Sequence, residues 1–404
     1  MNAQLYEAIG FFTDETHIMP CLSVTCGTAD HAEYALRGVM DGQGTPLRED
    51  ALYDLASLTK LFTGVMVMRL HEEGRLSLTA PVTRYAPQFT HLQGVTVDQV
   101  LGFEIGLTTP GRVDAQPDQA AARQVLFAVK PQDVGTGRAY SDMHAMVLKH
   151  VIEGAGGADY ASLVHEKILQ PLGMEDTYCV VPDGEKPRCV SYNGEHRMER
   201  GNCILREDVY PGLPHDPKAL KMYPEPCGHA GIFSTRQDMV KLCQGLLRGQ
   251  VLRRDSLLAM ACNRTGRQLA DGTYTQYLGS QCYVKHPQQY FSEIPVYMSD
   301  CAIGLSGFTG HHLAVDVQRG IFTLFLGNRV MDRLTVLLPE AGHTIMDAGL
   351  NADGTGTVRW LDGSTVYSSV NYVHQKDEHL HRVVQQVLGL DAWHAGVDGS
   401  PSGR

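Results

Sequence analysis

The chain has 404 residues, 43% hydrophobic and 20% charged, with 42 Gly and 19 Pro. Those are globular proportions, enough for a sizeable core in one large domain with a subdomain, or in two domains. A net charge of −11 with no run of Lys or Arg argues against nucleic acid and anionic membrane surfaces as partners.

"MPCLSVTCG" (19–27) and "EYALRGVMDG" (33–42) read as two strands across a polar turn. Leu58, Leu61, Phe62, Val65, Met66 and Leu70 then recur at helical spacing, with Gly74 as the stop. From there to about residue 225 the chain reads mainly as helices and loops. "DMHAMVLKHVIEGAGG" and "DYASLVHEKILQPLGM" are periodic, and 181–227, rich in Pro, Gly and charge, reads as a long irregular excursion. Ser234 and Gln237 make a capping box for "RQDMVKLCQGLLRG", and "RRDSLLAMAC" is a further helix. Strands return in "YLGSQCYV", "HHLAVDV" and "IFTLFLGNRV", the last two joined by a tight "QRG" connection. A Gly-rich, hairpin-like stretch (351–369) precedes a closing helix, "DEHLHRVVQQVLGL", and the final "HAGVDGSPSGR" reads as frayed.

Strands at both ends and helices between them predict an α/β (α+β) fold. It is an antiparallel sheet built from the two chain ends and flanked by helices, plus an all-helical subdomain. The expected division is a single domain over 1–390, with its α/β part at 1–56 and 228–390, its helical part at 57–227 and a tail at 391–404. No apolar stretch approaches the roughly 20 residues of a membrane helix, so no membrane span is expected. "MNAQLYEAIGFFTDETH" has no basic segment ahead of an apolar one. It reads as lacking a signal peptide, which places the protein in the cytoplasm, or outside it if a leader has been trimmed. Ten cysteines without a C-x-x-C pair read as reduced, mostly buried thiols. His311-His312 are neighbours on a strand and point to opposite faces, so neither a metal nor a cofactor is expected.

Ser57 and Lys60, in "YDLASLTKLFTGV", lie one turn apart on one helix face. A serine at a helix N-terminus meets unpaired N–H groups and the positive end of the dipole, a favourable place for developing negative charge. Taken alone, the pair reads as a helix cap and a solvated lysine rather than a nucleophile and its base. The surrounding words change that reading. "LASLTKLFTGVMVMRLHEEGRLSLTAPVTRYAPQF" resembles the active-site serine segment of class C β-lactamases, penicillin-binding DD-peptidases and β-lactamase-like carboxylesterases. Tyr140-Ser141-Asp142, followed by "ILQPLGMEDT", falls where that family places its Tyr-x-Asn or Tyr-Ser motif. "GHAGIFSTRQDMVKL" (228–242) and "LSGFTG" (305–310) follow in the family's order, so the resemblance covers roughly residues 20 to 330. In the third motif Leu305 stands where the family has Lys or His. In "VLGFEIGLTTPG" (100–111) only Leu101, Gly106 and Leu107 keep the pattern.

The resemblance implies two-step acyl transfer on a small-molecule or peptide-like acyl substrate. Ser57 is then the nucleophile, Lys60 and Tyr140 share proton transfer, and the oxyanion sits between the N–H groups of Ser57 and Phe308. Asp142, Leu305, Ser306, Gly307 and Phe308 take substrate-binding positions. Asp142 replaces the family's amide; it is expected to pair with Lys60 and raise its pKa, leaving Tyr140 as the proton carrier. Leu305 forfeits a charge-assisted contact to a substrate carboxylate worth about 1.5–3 kcal/mol, unless an Arg or a His such as His229 or His311 replaces it. Three readings follow: an esterase-like serine hydrolase acting on an ester or amide; a β-lactamase or DD-peptidase with weakened activity; and a degenerate, non-catalytic member that binds a ligand or partner. The oligomeric state is not legible.

Overall fold

The central strands of the main sheet are buried on both faces, so alternate side chains enter two separate cores. In the strand Cys21–Thr28, Leu22, Val24 and Cys26 point to one face, where they meet Leu5, Ile9 and Phe12 near the N-terminus and Leu380 and Val384 near the C-terminus. The computed structural model describes residues 1–288 and 293–393. In it, five strands pair antiparallel in the order Ala302–Gly307, His311–Asp316, Ile321–Asn328, Cys21–Thr28, Ala32–Gly38. The sheet is therefore made from both chain ends, as the sequence predicts. Helices Ala3–Gly10 and His381–Val387 cover one face. On the other, Leu305, Leu313, Val315, Leu324 and Leu326 share a core with Leu61 and Phe62 of helix Thr59–Glu72 and with Met239 and Leu242 of helix Arg236–Leu247. Each such aliphatic side chain contributes roughly 1.5–3 kcal/mol on burial.

Helix Thr59–Glu72 is buried almost all round, Lys60 included, because it runs between the sheet and the helices of the middle segment. Helix Asp142–Gly156 packs on it. Gly154 permits this helix to touch the Val82–Arg84 turn region: a Cβ there would lie 1.8 Å from the Tyr85 carbonyl oxygen. Among the described residues no helix is long and apolar enough to cross a membrane.

Three sequence expectations need correction. The supposed irregular excursion holds a hairpin, Glu195–Glu199 with Asn202–Arg206. It joins Arg333–Leu338, Thr365–Ser368 and Thr357–Arg359 in a second five-stranded sheet. The hairpin is rich in Glu and Arg because one face meets solvent and the active-site cleft rather than a core, so its hydrophobic signal is weak. Ser234 does not cap a helix. It pairs with Tyr53 and Thr177 in a short three-stranded sheet, and Thr235 caps instead, accepting from the Asp238 N–H at 3.3 Å. "YLGSQCYV" is not a regular strand: Gln281 has φ 56° and the segment folds back, pairing Leu278 with Tyr283 and Tyr283 with Gly304. The hairpin-like stretch does form one, Thr357–Arg359 with Thr365–Ser368. The frayed end (394–404) lies outside the described residues.

Candidate active site

Ser57 sits in a single 3-10 turn, Ala56–Leu58, that leads into helix Thr59–Glu72. The turn is entered through Ala56 at φ 45°, a left-handed conformation costly for a residue with a Cβ. The fully buried Asp54 holds it there. One carboxylate oxygen accepts the Ala56 N–H at 3.0 Å and the other accepts the His215 N–H at 2.6 Å, while its carbonyl accepts from Thr309 Oγ1 at 3.0 Å and meets His311 Nε2 at 2.6 Å. One residue thus ties together the serine turn, the His215 loop and the turn that follows edge strand Ala302–Gly307.

Lys60 Nζ donates to Ser57 Oγ at 3.0 Å and to the His229 carbonyl at 3.3 Å, and pairs with Asp142 at 2.8 Å. The second Asp142 oxygen takes Lys218 at 3.0 Å. Burial works against the charge of Lys60, but Asp142, with smaller help from Tyr140, outweighs it and raises the pKa above its ordinary value. Burial likewise opposes ionisation of Asp142, and Lys60, then His229 and Lys218, hold it well below the usual carboxylate range. The expected Asp142–Lys60 pair is thus present, and Lys60 is an ammonium. Asp142 opens helix Asp142–Gly156 behind the Ser141 cap, where a negative charge also meets the favourable end of the helix dipole. Tyr140 stacks between Phe103 at 5.5 Å and Tyr283 at 5.3 Å, with Lys60 Nζ 4.9 Å from its ring centroid and the Arg138 guanidinium 5.5 Å.

A cavity of about 250 Å³ opens over these groups. Of the residues singled out in sequence, Ser57, Tyr140, Asp142 and Phe308 line it; Lys60 lies directly beneath. Leu305, Ser306 and Gly307 do not. Leu305 is 1% exposed, in the core that also holds Leu55, Leu58 and Leu61. Ser306, one residue on, points to the opposite face and donates to Glu293 at 2.6 Å. Gly307 faces the Leu55 carbonyl, which a Cβ would approach to 2.8 Å. Only past the strand end does the chain, at Phe308, reach the cleft. Among the described residues, no backbone carbonyl engages the N–H of Ser57 or of Phe308.

Neither histidine considered as a substitute for the missing cation reaches the cavity. His311 is held by Asp54 and by the Gly327 N–H at 3.1 Å, and His229 pairs with Asp216 at 2.8 Å. Arg138, Arg197 and Arg206 line the cavity instead, with Glu195, His215 and Asp216. Arg197 is bound to Glu199 and Arg206 to Asp208, whereas Arg138 makes no ion pair among the described residues. Arg197, Arg206, Glu195, His215 and Asp216 come from the hairpin and the loop after it, and Arg138 from the loop ahead of helix Asp142–Gly156; none of them was singled out in sequence. Asp142, Asp216 and His229 offer ligand atoms within 4.8 Å of one another. Both Asp142 oxygens already face lysines, so this set does not suit a cation.

A family model described as Beta-lactamase matches residues 20–336, and the chain belongs to that family of serine hydrolases. It is 25% identical over 326 residues to a putative D-alanyl-D-alanine carboxypeptidase of Salmonella typhimurium, covering 74% of each chain. Among solved structures it resembles EstCE1, a hydrolase with promiscuous acyltransferase activity (19% identity, TM-score 0.64, 80% of this chain and 92% of that one). It also resembles a class C β-lactamase from Rhodobacter sphaeroides (18%, 0.61, 81% and 94%). A variant of the simvastatin synthase LovD from Aspergillus terreus aligns at 15% identity and TM-score 0.62 over 95% of both chains. At these identities the structures share the fold: β-lactamase/transpeptidase-like, with mixed helices and antiparallel sheets.

Proposed function

We propose that this protein is a serine hydrolase that forms an acyl-enzyme on an ester or amide, and that its action is esterase-like. The observation carrying this reading is Ser57 Oγ, 3.0 Å from the Lys60 ammonium, at the wall of an open cavity that Phe308 also lines. Ser57 Oγ attacks the acyl carbonyl, and the Lys60 charge stabilises the oxygen as its proton leaves. Because Asp142 keeps Lys60 protonated, Tyr140 takes the proton and returns it to the leaving group. The oxyanion is held between the Ser57 and Phe308 N–H groups. Leu305 in the core leaves the third-motif strand without a cation for a substrate carboxylate, which favours simple esters and amides.

A second reading has one observation of its own. Arg138, unpaired among the described residues at the cavity wall, offers a contact for a carboxylate such as a β-lactam or a D-alanyl peptide carries. Intact-protein mass spectrometry after a fluorophosphonate or a p-nitrophenyl ester, beside Ser57→Ala, tests the main reading. A single Ser57 adduct and ester turnover are expected, with turnover falling about 10⁴–10⁶-fold in Ser57→Ala. No adduct on the native protein would sink it and leave the non-catalytic reading. Turnover of nitrocefin or a D-Ala-D-Ala peptide that is faster than ester turnover and lost in Arg138→Ala would establish the second.

A further inference from the structure

His215 and Glu195 form a buried pair in the cavity wall that the steps above leave idle. His215 is 3% exposed, and its Nε2 lies 3.0 Å from Glu195 Oε2, within ion-pair distance. Glu195 is 1% exposed, and its other oxygen accepts from Thr335 Oγ1 at 2.6 Å. Burial disfavours its charge, but His215, Thr335 and Arg197 together pull the carboxyl down to about 2, so it remains a carboxylate. The His215 ring stacks on Phe308 at 5.6 Å and 13°, beside the N–H assigned to the oxyanion. Its backbone N–H shares the Asp54 carboxylate with Ala56, the residue before the nucleophile. The imidazole is therefore fixed relative to both Ser57 and the oxyanion position. Its Nδ1 has no hydrogen-bond partner among the described residues, on a ring that lines the cavity.

We infer that His215 is the catalytic base of the second half-reaction, taking the proton of the water that hydrolyses the acyl-enzyme, with Glu195 as its positioning residue. This rests on the acyl-enzyme reading above. The Glu195 carboxylate keeps the imidazole proton on Nε2 and leaves the Nδ1 lone pair toward the cavity. A water oxygen bonds to the acyl carbon while its proton passes to Nδ1, and the carbonyl electron pair moves onto oxygen. As that pair returns, the bond from acyl carbon to Ser57 Oγ breaks and Oγ takes the proton from Nδ1. The acid leaves, and Ser57 and neutral His215 are restored. Lys60 cannot serve this step, since Asp142 holds it protonated.

Pre-steady-state kinetics with p-nitrophenyl acetate separate the two half-reactions. His215→Ala and His215→Gln are expected to keep the p-nitrophenol burst but lose turnover by about 10²–10⁴-fold, with acetyl-Ser57 accumulating in the intact mass. Added imidazole restores turnover in His215→Ala and not in Ser57→Ala. Glu195→Gln keeps the burst and slows turnover less than His215→Ala. Turnover near the native rate in either His215 variant overturns the inference while leaving Ser57 chemistry standing. So does loss of burst and turnover together in His215→Gln with native circular dichroism. A native protein without a burst and without a Ser57 adduct overturns both.

Discussion

Lys60 is the residue on which the site's electrostatics turn. Its charge is kept by one carboxylate against complete burial. In Asp142→Asn burial prevails, so the Lys60 pKa falls and Lys60 loses its proton at a lower pH than in the native protein. The expected outcome is a burst rate that varies with pH between about 7 and 10 in Asp142→Asn and stays flat there for Lys60 in the native protein, read by stopped-flow. Two lysines also lose their shared partner, a change of about 3–5 kcal/mol for a broken buried pair, measurable by denaturant unfolding. The pairing was legible because chemistry alone says what a carboxylate does beside a lysine. Leu305 shows the converse. Its identity was plain, but its direction depends on strand pleat, and the pleat turns it into the core.

At the scale of elements, the serine turn is held by what docks on it. Asp54 anchors the N–H groups of Ala56 and His215 from one buried carboxylate. Asp54→Ala leaves two buried N–H groups without acceptors, at about 1–3 kcal/mol each. A lower unfolding midpoint in denaturant and a slower burst are expected together; an unchanged midpoint would refute the anchoring role. Gly307 sets the spacing between the edge strand and this turn, since the atom a Cβ would meet at 2.8 Å is the Leu55 backbone oxygen, which cannot swing aside. Gly307→Ala is expected to push Phe308 away from Ser57, cutting the burst rate by about 10²-fold for a shift near 1 Å at a stability cost of about 1–3 kcal/mol. Elements built on long apolar runs were legible: the paired end strands, the Ser57 helix and helix Asp142–Gly156. The hairpin formed by Glu195–Glu199 and Asn202–Arg206 was not, because its charged residues serve the cavity and suppress the alternation by which strands are recognised.

Across the whole molecule, buried carboxylates govern the response to acid. Glu195, Asp142 and Glu293 all sit below their ordinary pKa in the folded state, held there against burial by His215, Lys60 and Lys376 respectively. A depressed carboxyl binds fewer protons folded than unfolded, so its stabilisation is present above the unfolded value and is lost as pH falls. For Glu195, from 4.5 to about 2, the contribution is roughly 3 kcal/mol. Stability should therefore drop steeply between about pH 5 and 2, and less steeply in Glu195→Gln, by unfolding titrations across that range. The ten cysteines are free, six of them buried and Cys262 the exposed one. A thiol reagent should label Cys262 first in the native protein and all ten only after denaturation.

The sequence by itself determined the sheet from both chain ends, the family, and the order of Ser57, Lys60, Tyr140 and Phe308 along the chain. Those rest on local periodicity and on contiguous motifs, which a chain carries without being folded. Only the tertiary structure decided that Leu305 is core and that the cavity cations are arginines. It alone brought Asp54, Glu195 and His215, up to 161 residues apart, around one serine. Their polar side chains have no period to betray them. Their meaning lies in which backbone amide or ring each one meets.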